Sequence, residues 1–412
     1  MQNFNNQYNF RVDNQIKILN ILRNGQQSIN SLAEKINVSF TAASKIVDQL
    51  ISFDVLKRVN KKTQSKKRGR VPVLVKINTS VGLTCAIDLS SHDLVITLND
   101  LTGKIVAKRT IASTVFIKEE SLKQISDCIK DMLVSDEAEN RPLLGICIAS
   151  PGMVNKETGE IAEGFRVKTY NQISLNNYFF NEFAVPVNIY NDVKISCVGE
   201  KVYGAIPSDA KNYVFLHLGS SVGAALVFNG KIYQGKSGYS GEFSNFNEID
   251  DESKCKRNRI YGFSELTRYI SKLDSEHKYE YEKFIPNIDA LVKQYKANNP
   301  SVLEGLEYIA KNNALQFIAY SDFLDLEYIV IEGPILHFKE KYKEYLLKYL
   351  KVYDKSEFRP RLLFSELNEN SSLIGTIYQA NNIYFLNKLE EITNKRSANG
   401  KYDISEAFED NI

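Results

Sequence analysis

Short apolar runs separated by polar turns fill the chain beyond residue 78, and their spacing predicts an α/β unit. Three strand-like runs at 82–89, 94–98 and 105–110 precede a helical pattern over 120–134. A strand at 143–149, a helix at 175–183, a strand at 187–190 and a helix at 193–203 follow. The change from runs bounded by turn residues to helical periodicity indicates three antiparallel strands followed by alternating helices and strands.

The same order of elements then begins again. Strand-like runs at 213–218, 222–228 and 231–233 are followed by helical patterns, a strand at 328–331 and a last helix from Ser371. The repeat predicts two lobes, over 79–203 and 204–395, with a ligand cleft between them. The last helix is free to return to the first lobe, and residues 396–412 form a polar tail.

Residues 1–78 have a helical pattern that predicts a separate domain. An apolar stripe from Asp13 ends near Gly25, and Ser28 and Ser39 are placed to cap a second and a third helix. Two helices joined by a tight turn are typical of a helix-turn-helix, although an ordinary three-helix bundle has the same pattern. The exposed face of the third helix would present Phe40, Thr41, Ser44, Lys45 and Gln49.

A basic segment follows these helices and favours DNA binding over the plain bundle. Between Lys57 and Lys76 there is no acidic residue, and runs at 56–59 and 73–77 can pair as a hairpin, or wing. A basic run alone is usually a solvated loop, but beside a helix-turn-helix it can neutralise DNA phosphates. The residues predicted to contact double-stranded operator DNA are Ser39, Thr41, Ser44, Lys45, Lys66, Lys67, Arg68 and Arg70.

Composition sets the outer limits. The 52 basic and 50 acidic residues give a net charge of +2, so nucleic-acid affinity must come from a local cluster. No apolar run approaches membrane-spanning length and no signal segment is recognised, which predicts a cytoplasmic protein with no membrane partner. The five cysteines form neither a disulfide framework nor a Cys-x-x-Cys pair.

Asn191 and Asp192 carry the clearest binding chemistry. They follow the predicted strand at 187–190, and open α/β sheets bind ligands at the carboxyl ends of their strands. An amide donates and accepts hydrogen bonds and a carboxylate accepts them, which suits a hydroxyl-rich ligand. Capping of the next helix by Asp192 is an equally good interpretation of the pair alone.

These motifs, taken in order, resemble the ROK family (repressors, open reading frames and sugar kinases), in its repressor branch with an N-terminal winged helix. The resemblance covers residues 13–389 and rests on the segments at 68–78, 86–89, 100–103, 145–154, 158–161, 186–192 and 238–242. It implies a winged helix-turn-helix followed by a duplicated actin-like or hexokinase-like (ribonuclease H-like) α/β fold. It also implies a carbohydrate site formed by Asn191, Asp192, Glu242, Asn245, Glu265, Ser150 and Gly152.

The chain departs from the kinases of that family in its phosphate loops. Asp192 stands at the position of the kinase base, but the loop after Asp88 reads Leu-Ser-Ser-His, and Glu332 and Pro334 flank the one glycine of the nucleotide-side turn. Side chains and proline obstruct the close backbone approach that phosphate requires. We therefore expect no phosphoryl transfer and no catalytic residue.

The zinc site of the family also lacks its ligands here. Asn245 replaces the histidine, and Cys255 is the one cysteine in the region of the cluster. A closed zinc site needs four ligands. We therefore expect no metal and no cofactor.

The sequence thus predicts a sugar-responsive transcription regulator, a repressor that is a homodimer or homotetramer and is released from DNA by a carbohydrate or its phosphate. One alternative is an ATP-dependent sugar kinase with an attached DNA-binding domain. The other is a regulator whose lobes bind a partner protein instead of a sugar.

Overall fold

The computed structural model describes residues 2–59, 73–90, 93–112, 119–155, 158–161, 174–243, 247–249, 256–258, 260–273, 288–353 and 361–394. Three helices and a small sheet form the N-terminal head, residues 2–59 and 73–78. Its elements are α1 (Gln2–Arg23), β1 (Gln27–Ser28), α2 (Ile29–Lys35), α3 (Phe40–Ser52), β2 (Leu56–Val59) and β3 (Leu74–Ile77). The strands pair antiparallel in the order β1-β3-β2.

Two serine caps fix the helices of the head as the sequence predicted. The Ser28 hydroxyl accepts a hydrogen bond from the Ser31 backbone N–H at 3.1 Å, and Ser39 accepts one from Ala42 at 3.2 Å. The pairing of 56–59 with 74–77 is also confirmed. The two-residue strand β1 was not predicted, because nothing in so short a segment distinguishes a strand from a turn.

The prediction that Gln49 lies on the exposed face of α3 was wrong. Its side chain is buried, and its Oε1 atom lies 3.5 Å from Nε2 of Gln15 on α1. Gln49 is three residues after the buried Ile46, so it faces α1. The contact between the two amides satisfies polar groups that packing has removed from water.

The first lobe is built on a five-stranded sheet in the order β6-β5-β4-β7-β8. Its elements are β4 (Leu83–Asp88), β5 (Leu94–Asn99), β6 (Ile105–Ile111), α4 (Glu119–Leu133), β7 (Leu143–Ser150), α5 (Leu175–Phe183), β8 (Val187–Asn191) and α6 (Asp192–Tyr203). β4 and β7 read as continuous apolar runs because both are nearly fully buried.

The second lobe repeats this arrangement, with the strand order β11-β10-β9-β14-β15. Its elements are β9 (Tyr213–Leu218), β10 (Val222–Phe228), β11 (Lys231–Ile232), the hairpin β12 (Asn247–Ile249) and β13 (Lys256–Asn258), α7 (Phe263–Leu273), α8 (Ile288–Lys296), α9 (Pro300–Leu324), β14 (Tyr328–Glu332), α10 (Lys339–Tyr353) and β15 (Arg361–Phe364). Three antiparallel strands followed by two parallel ones occur in both sheets, so the duplication predicted from the sequence is confirmed.

The last helix, α11 (Ser371–Asn394), joins the first lobe to the head. Its first half packs on the first-lobe sheet and on α6, through Leu373, Ile377, Ala380 and Ile383. Its second half enters the hydrophobic core of the head through Tyr384, Phe385, Leu389 and Ile392. One helix therefore shares its buried surface between the two units.

Candidate functional site

The parallel strands of the first lobe end side by side and bring polar groups together. Asp88 at the end of β4 is opposite Ala149, and Ser150 at the end of β7 is opposite Asn191 at the end of β8. Asp88 and Ser150 are buried, whereas Asn191 is partly exposed. The sequence placed Asn191 at such an edge, where ligands of open α/β sheets bind.

Asn191 ties this edge to the loop after β7. Its Nδ2 atom donates to the carbonyl oxygen of Gly152 at 3.0 Å and to Oδ1 of Asp192 at 3.1 Å. Gly152 has a φ of +97°, a conformation that glycine adopts without strain. The structure therefore brings together four predicted ligand residues, namely Ser150, Gly152, Asn191 and Asp192.

The cap of α6 is Asn191, so the competing interpretation of Asp192 as that cap was wrong. Oδ1 of Asn191 accepts the backbone N–H of Lys194 at 3.0 Å, and the helix begins one residue later. Oδ1 of Asp192 accepts the N–H of Val193 at 2.8 Å. The described part of the chain provides no hydrogen-bond partner for Oδ2 of Asp192, which is free to accept from a ligand.

Burial raises the pKa of Asp192 from its ordinary value of 3.8 to about 7. His217 opposes this shift through its charge, whereas Asp88 and Glu332 add to it. The Asp192 carboxylate is therefore poorly solvated in the absence of a ligand. A ligand hydroxyl could donate the hydrogen bond that water does not supply there.

A histidine and two carboxylates lie next to Asp192, at the ends of strands from both lobes. Nδ1 of His217 lies 2.5 Å from Oε2 of Glu332, its opposite residue in the pairing of β9 with β14. Oδ1 of Asp88 accepts the backbone N–H of Ser90 at 2.8 Å, and burial raises the pKa of Asp88. Three carboxylates and one imidazole thus share a small region.

The imidazole of His217 also covers the turn after β9. A Cβ atom placed on Gly219 would lie 2.2 Å from Nε2 of His217. The Gly219 N–H donates to the carbonyl oxygen of Ser221 at 3.2 Å. This backbone amide is consequently engaged within its own turn.

Glu242 lies in the loop after β11 and interacts with a buried lysine. Burial raises the pKa of Glu242, and the Lys194 ammonium opposes that shift. Nζ of Lys194 donates to the Gly238 carbonyl oxygen at 2.5 Å and to Oε1 of Gln234 at 3.1 Å. Burial lowers the pKa of Lys194 to about 8.

Two further residues were predicted as ligands, Glu265 and Asn245. Glu265, in the first turn of α7, binds the guanidinium of Arg268 through both carboxylate oxygens, one of them 3.0 Å from Nε. This ion pair lies along one helix, and the role of Glu265 as a ligand stays a prediction. Asn245 lies outside the described residues.

The predicted DNA-contacting residues of α3 are accessible. Ser39, Thr41 and Lys45 are exposed, and the partly buried Ser44 lies 3.4 Å from Asp48. Lys66, Lys67, Arg68 and Arg70 lie outside the described residues.

Sequence reasoning missed Lys194, His217 and the contact of His217 with Glu332. A lysine in the first turn of a helix that is otherwise buried is a signal that could have been used for Lys194. The contact of His217 with Glu332 depends on the register between two strands that are more than 100 residues apart, and no local pattern encodes that register.

Within the described residues, no group of three or more histidine, cysteine, aspartate or glutamate side chains is arranged to hold a metal ion. Asn245 and Cys255, at the zinc positions of the family, lie outside those residues. Among the described helices, none combines the length and the apolar character needed to span a bilayer.

Comparison with known proteins identifies relatives of two kinds. The xylose repressor of Caldicellulosiruptor bescii is 27% identical over 241 residues, which are 57% of this chain and 59% of that protein. The N-acetylglucosamine repressor of Escherichia coli O6:H1 is 23% identical over 314 residues, 74% of this chain and 76% of that protein. The matched region thus spans little more than half of the xylose repressor.

A solved structure has the same fold over nearly the whole chain. It is described as a ROK family transcriptional regulator, a homologue of the E. coli MLC protein. It covers 92% of this chain and 99% of its own, with a TM-score of 0.72 and 17% identity. The model of the ROK family matches residues 84–382, well over half of the sequence, and the chain belongs to the ROK family.

Proposed function

We propose that this protein is a sugar-responsive, DNA-binding transcriptional repressor that acts as a homodimer or homotetramer. Its effector is a carbohydrate bound between the lobes at the carboxyl ends of β7 and β8. One observation carries the proposal: Asn191, Asp192 and the Gly152 loop are hydrogen-bonded to one another at the start of α6. Through α11, this helix is connected to the head.

The chemistry of this edge supports a carbohydrate ligand. Oδ2 of Asp192 has no hydrogen-bond partner in the described part of the chain. Nδ2 of Asn191 donates to Oδ1 of Asp192 at 3.1 Å and so fixes the orientation of this carboxylate. Acceptors held in place before binding reduce the entropy cost of ordering a ligand. The names of two relatives, a xylose repressor and an N-acetylglucosamine repressor, point to the same ligand class.

The head supports DNA binding. The pair α2 and α3, followed by the hairpin of β2 and β3, has the order of a winged helix-turn-helix. Thr41 and Lys45 project from the open face of α3, and the basic segment between β2 and β3 joins the two strands. In this proposal α3 enters the major groove and the basic segment contacts phosphates.

A continuous packed path supports coupling between the effector edge and the head. α6 begins at Asp192 and packs against α11, and Nη2 of Arg23 at the end of α1 lies 2.5 Å from Oδ1 of Asn382 on α11. The Arg23 guanidinium also stacks 4.2 Å from the ring centroid of Tyr378. A sugar that favours one placement of α6 would therefore bias the placement of the head.

The turns that would cradle phosphate support a protein without kinase activity. His217 covers Gly219, the Glu332 carboxylate lies 2.5 Å from that imidazole, and Pro334 begins a short 3₁₀ helix.

A thermal-shift screen against xylose, N-acetylglucosamine and their phosphate esters tests the proposal, because a ligand raises the melting temperature by mass action. We expect at least one of these sugars to stabilise the protein, and ATP to have no effect. Sugar-dependent ATP hydrolysis that disappears in Asp192→Asn would show a kinase instead.

A further inference from the structure

Lys194 is a charged side chain that the proposed function leaves unexplained. It lies in the first turn of α6, two residues after Asp192, and only 6% of its surface is exposed. Long charged side chains are rarely so buried unless their charge is satisfied.

Its partners all belong to the loop that carries Glu242. Nζ donates to the carbonyl oxygen of Gly238 and to the side chain of Gln234, and the charge of Glu242 acts on it. These three residues follow β11 in the second lobe, whereas α6 follows β8 of the first lobe. The ammonium group therefore joins segments that come from different lobes.

The loop has a second anchor on its far side. The Ala224 N–H donates to the carbonyl oxygen of Gly241 at 3.1 Å, and Gly241 has a φ of +87°. A Cβ atom on Gly241 would lie 2.0 Å from the Ala224 carbonyl oxygen, so the backbone passes directly over β10. Glu242 is thus held between β10 on one side and Lys194 on the other.

We propose that Lys194 is a positioning residue for the effector. It fixes the loop 234–242 against the N-terminal turn of α6, and thereby sets the place of the Glu242 carboxylate relative to Asp192. This role rests on the proposed function, since it assigns to Lys194 the geometry of the same sugar site. Lys194 itself does not contact the sugar.

The test replaces Lys194 by methionine, which keeps the length of the chain and removes both the charge and the donors. Lys201→Met is the matched control on the same helix. Nζ of Lys201 donates to the carbonyl oxygens of Pro207, Ser208 and Ala210 at 2.8–3.1 Å, so it ties a similar loop at the opposite end of α6.

Sugar affinity is measured by calorimetry, with the xylose or N-acetylglucosamine probe that stabilises the wild-type protein most. We expect Lys194→Met to weaken binding at least tenfold, Lys201→Met to leave it within twofold, and Lys194→Arg to restore part of the loss. Equal affinity of Lys194→Met and wild type, or an equal loss in both methionine variants, overturns the proposal.

The pH dependence of the wild type adds a readout that does not require a variant to fold. Glu242 is the described charged group that acts on Lys194. Asp192, in the same turn of α6, and His217, on β9, interact with each other. Asp192 becomes a carboxylate as the pH rises through about 7, and the Lys194 ammonium loses its proton as the pH rises through about 8, so affinity should be highest between these values and fall from there to pH 9. A flat profile in this range contradicts the role.

Hydrogen–deuterium exchange of the sugar-free protein separates this proposal from the proposed function. Lys194→Met should raise exchange within 234–242, and Lys201→Met within 204–210. If no sugar binds the wild type but exchange rises as stated, the effector assignment fails and the anchoring of the loop stands. If exchange at 234–242 is unchanged, Lys194 does not position that loop.

Discussion

At the scale of single residues, Asp192 and Asn191 divide two tasks that the sequence left combined. Asn191 caps α6 through Lys194 and binds the Gly152 carbonyl, whereas Asp192 keeps Oδ2 without a partner in the described chain. The cap and the proposed ligand acceptor are therefore different side chains. Substitution can distinguish them.

Replacing Asp192 by alanine should weaken sugar binding by about ten- to a hundredfold, because a charged hydrogen bond to a desolvated hydroxyl is lost, about 1.5–3 kcal/mol. The melting temperature at pH 8 should hold or rise, since the variant no longer buries a carboxylate. Calorimetric titration and thermal melts on the same samples measure both quantities.

Asn299→Ala provides the control for the loss of a cap. Asn299 caps α9 in the second lobe, with Oδ1 2.9 Å from the Ser301 N–H. It should lose about 1 kcal/mol of stability with no change in sugar affinity. Asn191→Ala should lose both stability and sugar affinity. If Asp192→Ala behaves like Asn299→Ala, the effector assignment fails.

The raised pKa of Asp192 also predicts a dependence of stability on pH. Between its ordinary value of 3.8 and about 7, the folded protein holds a proton that the unfolded chain has released. Stability should therefore fall as the pH rises across this window, by at most about 1.4 kcal/mol per pH unit from this group.

Urea unfolding of wild type and Asp192→Asn from pH 4 to 8 isolates this contribution from the other carboxylates. The difference in unfolding free energy should move in favour of Asp192→Asn as the pH rises and level off above about 7. A constant difference would mean that Asp192 titrates normally in the folded protein.

At the scale of helices and strands, the contact of α6 with α11 links the proposed effector site at the start of α6 to the head. A Cβ atom on Gly375 of α11 would lie 2.0 Å from the carbonyl oxygen of Ile195 on α6. Because the carbonyl oxygen of Ile195 is part of the helix backbone, it cannot move aside as a side chain can. Gly375→Ala must therefore separate the two helices.

We expect Gly375→Ala to lower the unfolding free energy by about 1–3 kcal/mol, measured by urea titration. Gly305→Ala on α9 is the matched control, because its Cβ would meet the side chain of Ile270 at 2.8 Å, which can shift. An equal loss in the two variants would contradict close backbone packing of α6 on α11.

The elements themselves were largely predictable from the sequence. Buried strands such as β9 and β10 are short apolar runs between turn residues, and their bounds were predicted without error. Capping serines marked the starts of α2 and α3. Interactions that depend on register were beyond such patterns, because the pairing of His217 with Glu332 and the reach of Lys194 to Gly238 exist only after the chain has folded.

At the scale of the whole molecule, the proposed function joins a DNA-reading head to a sugar site through one shared core. The basic residues between β2 and β3 belong to this scale, because we propose that they contact the DNA backbone. Replacing Lys67, Arg68 and Arg70 together by alanine should weaken binding to every DNA sequence. The slope of log affinity against log salt should decrease by up to about 0.9 for each phosphate that the variant no longer neutralises.

Fluorescence anisotropy at several salt concentrations measures that slope. Lys293, Lys296 and Lys311, exposed on α8 and α9 of the second lobe, form the control triple with the same loss of charge. The control should leave the slope near that of the wild type. An unchanged slope in the first triple would mean that this segment does not contact the DNA backbone.

The most direct test of the central claim is a sugar titration of the protein bound to an operator duplex that it has selected from random DNA. With wild type, the xylose or N-acetylglucosamine probe that stabilises the protein should release the duplex, seen as a fall in anisotropy. Asp192→Ala should bind the duplex with wild-type affinity and should need about ten- to a hundredfold more sugar for release. Release of Asp192→Ala at the wild-type sugar concentration would contradict a sugar site at this carboxylate.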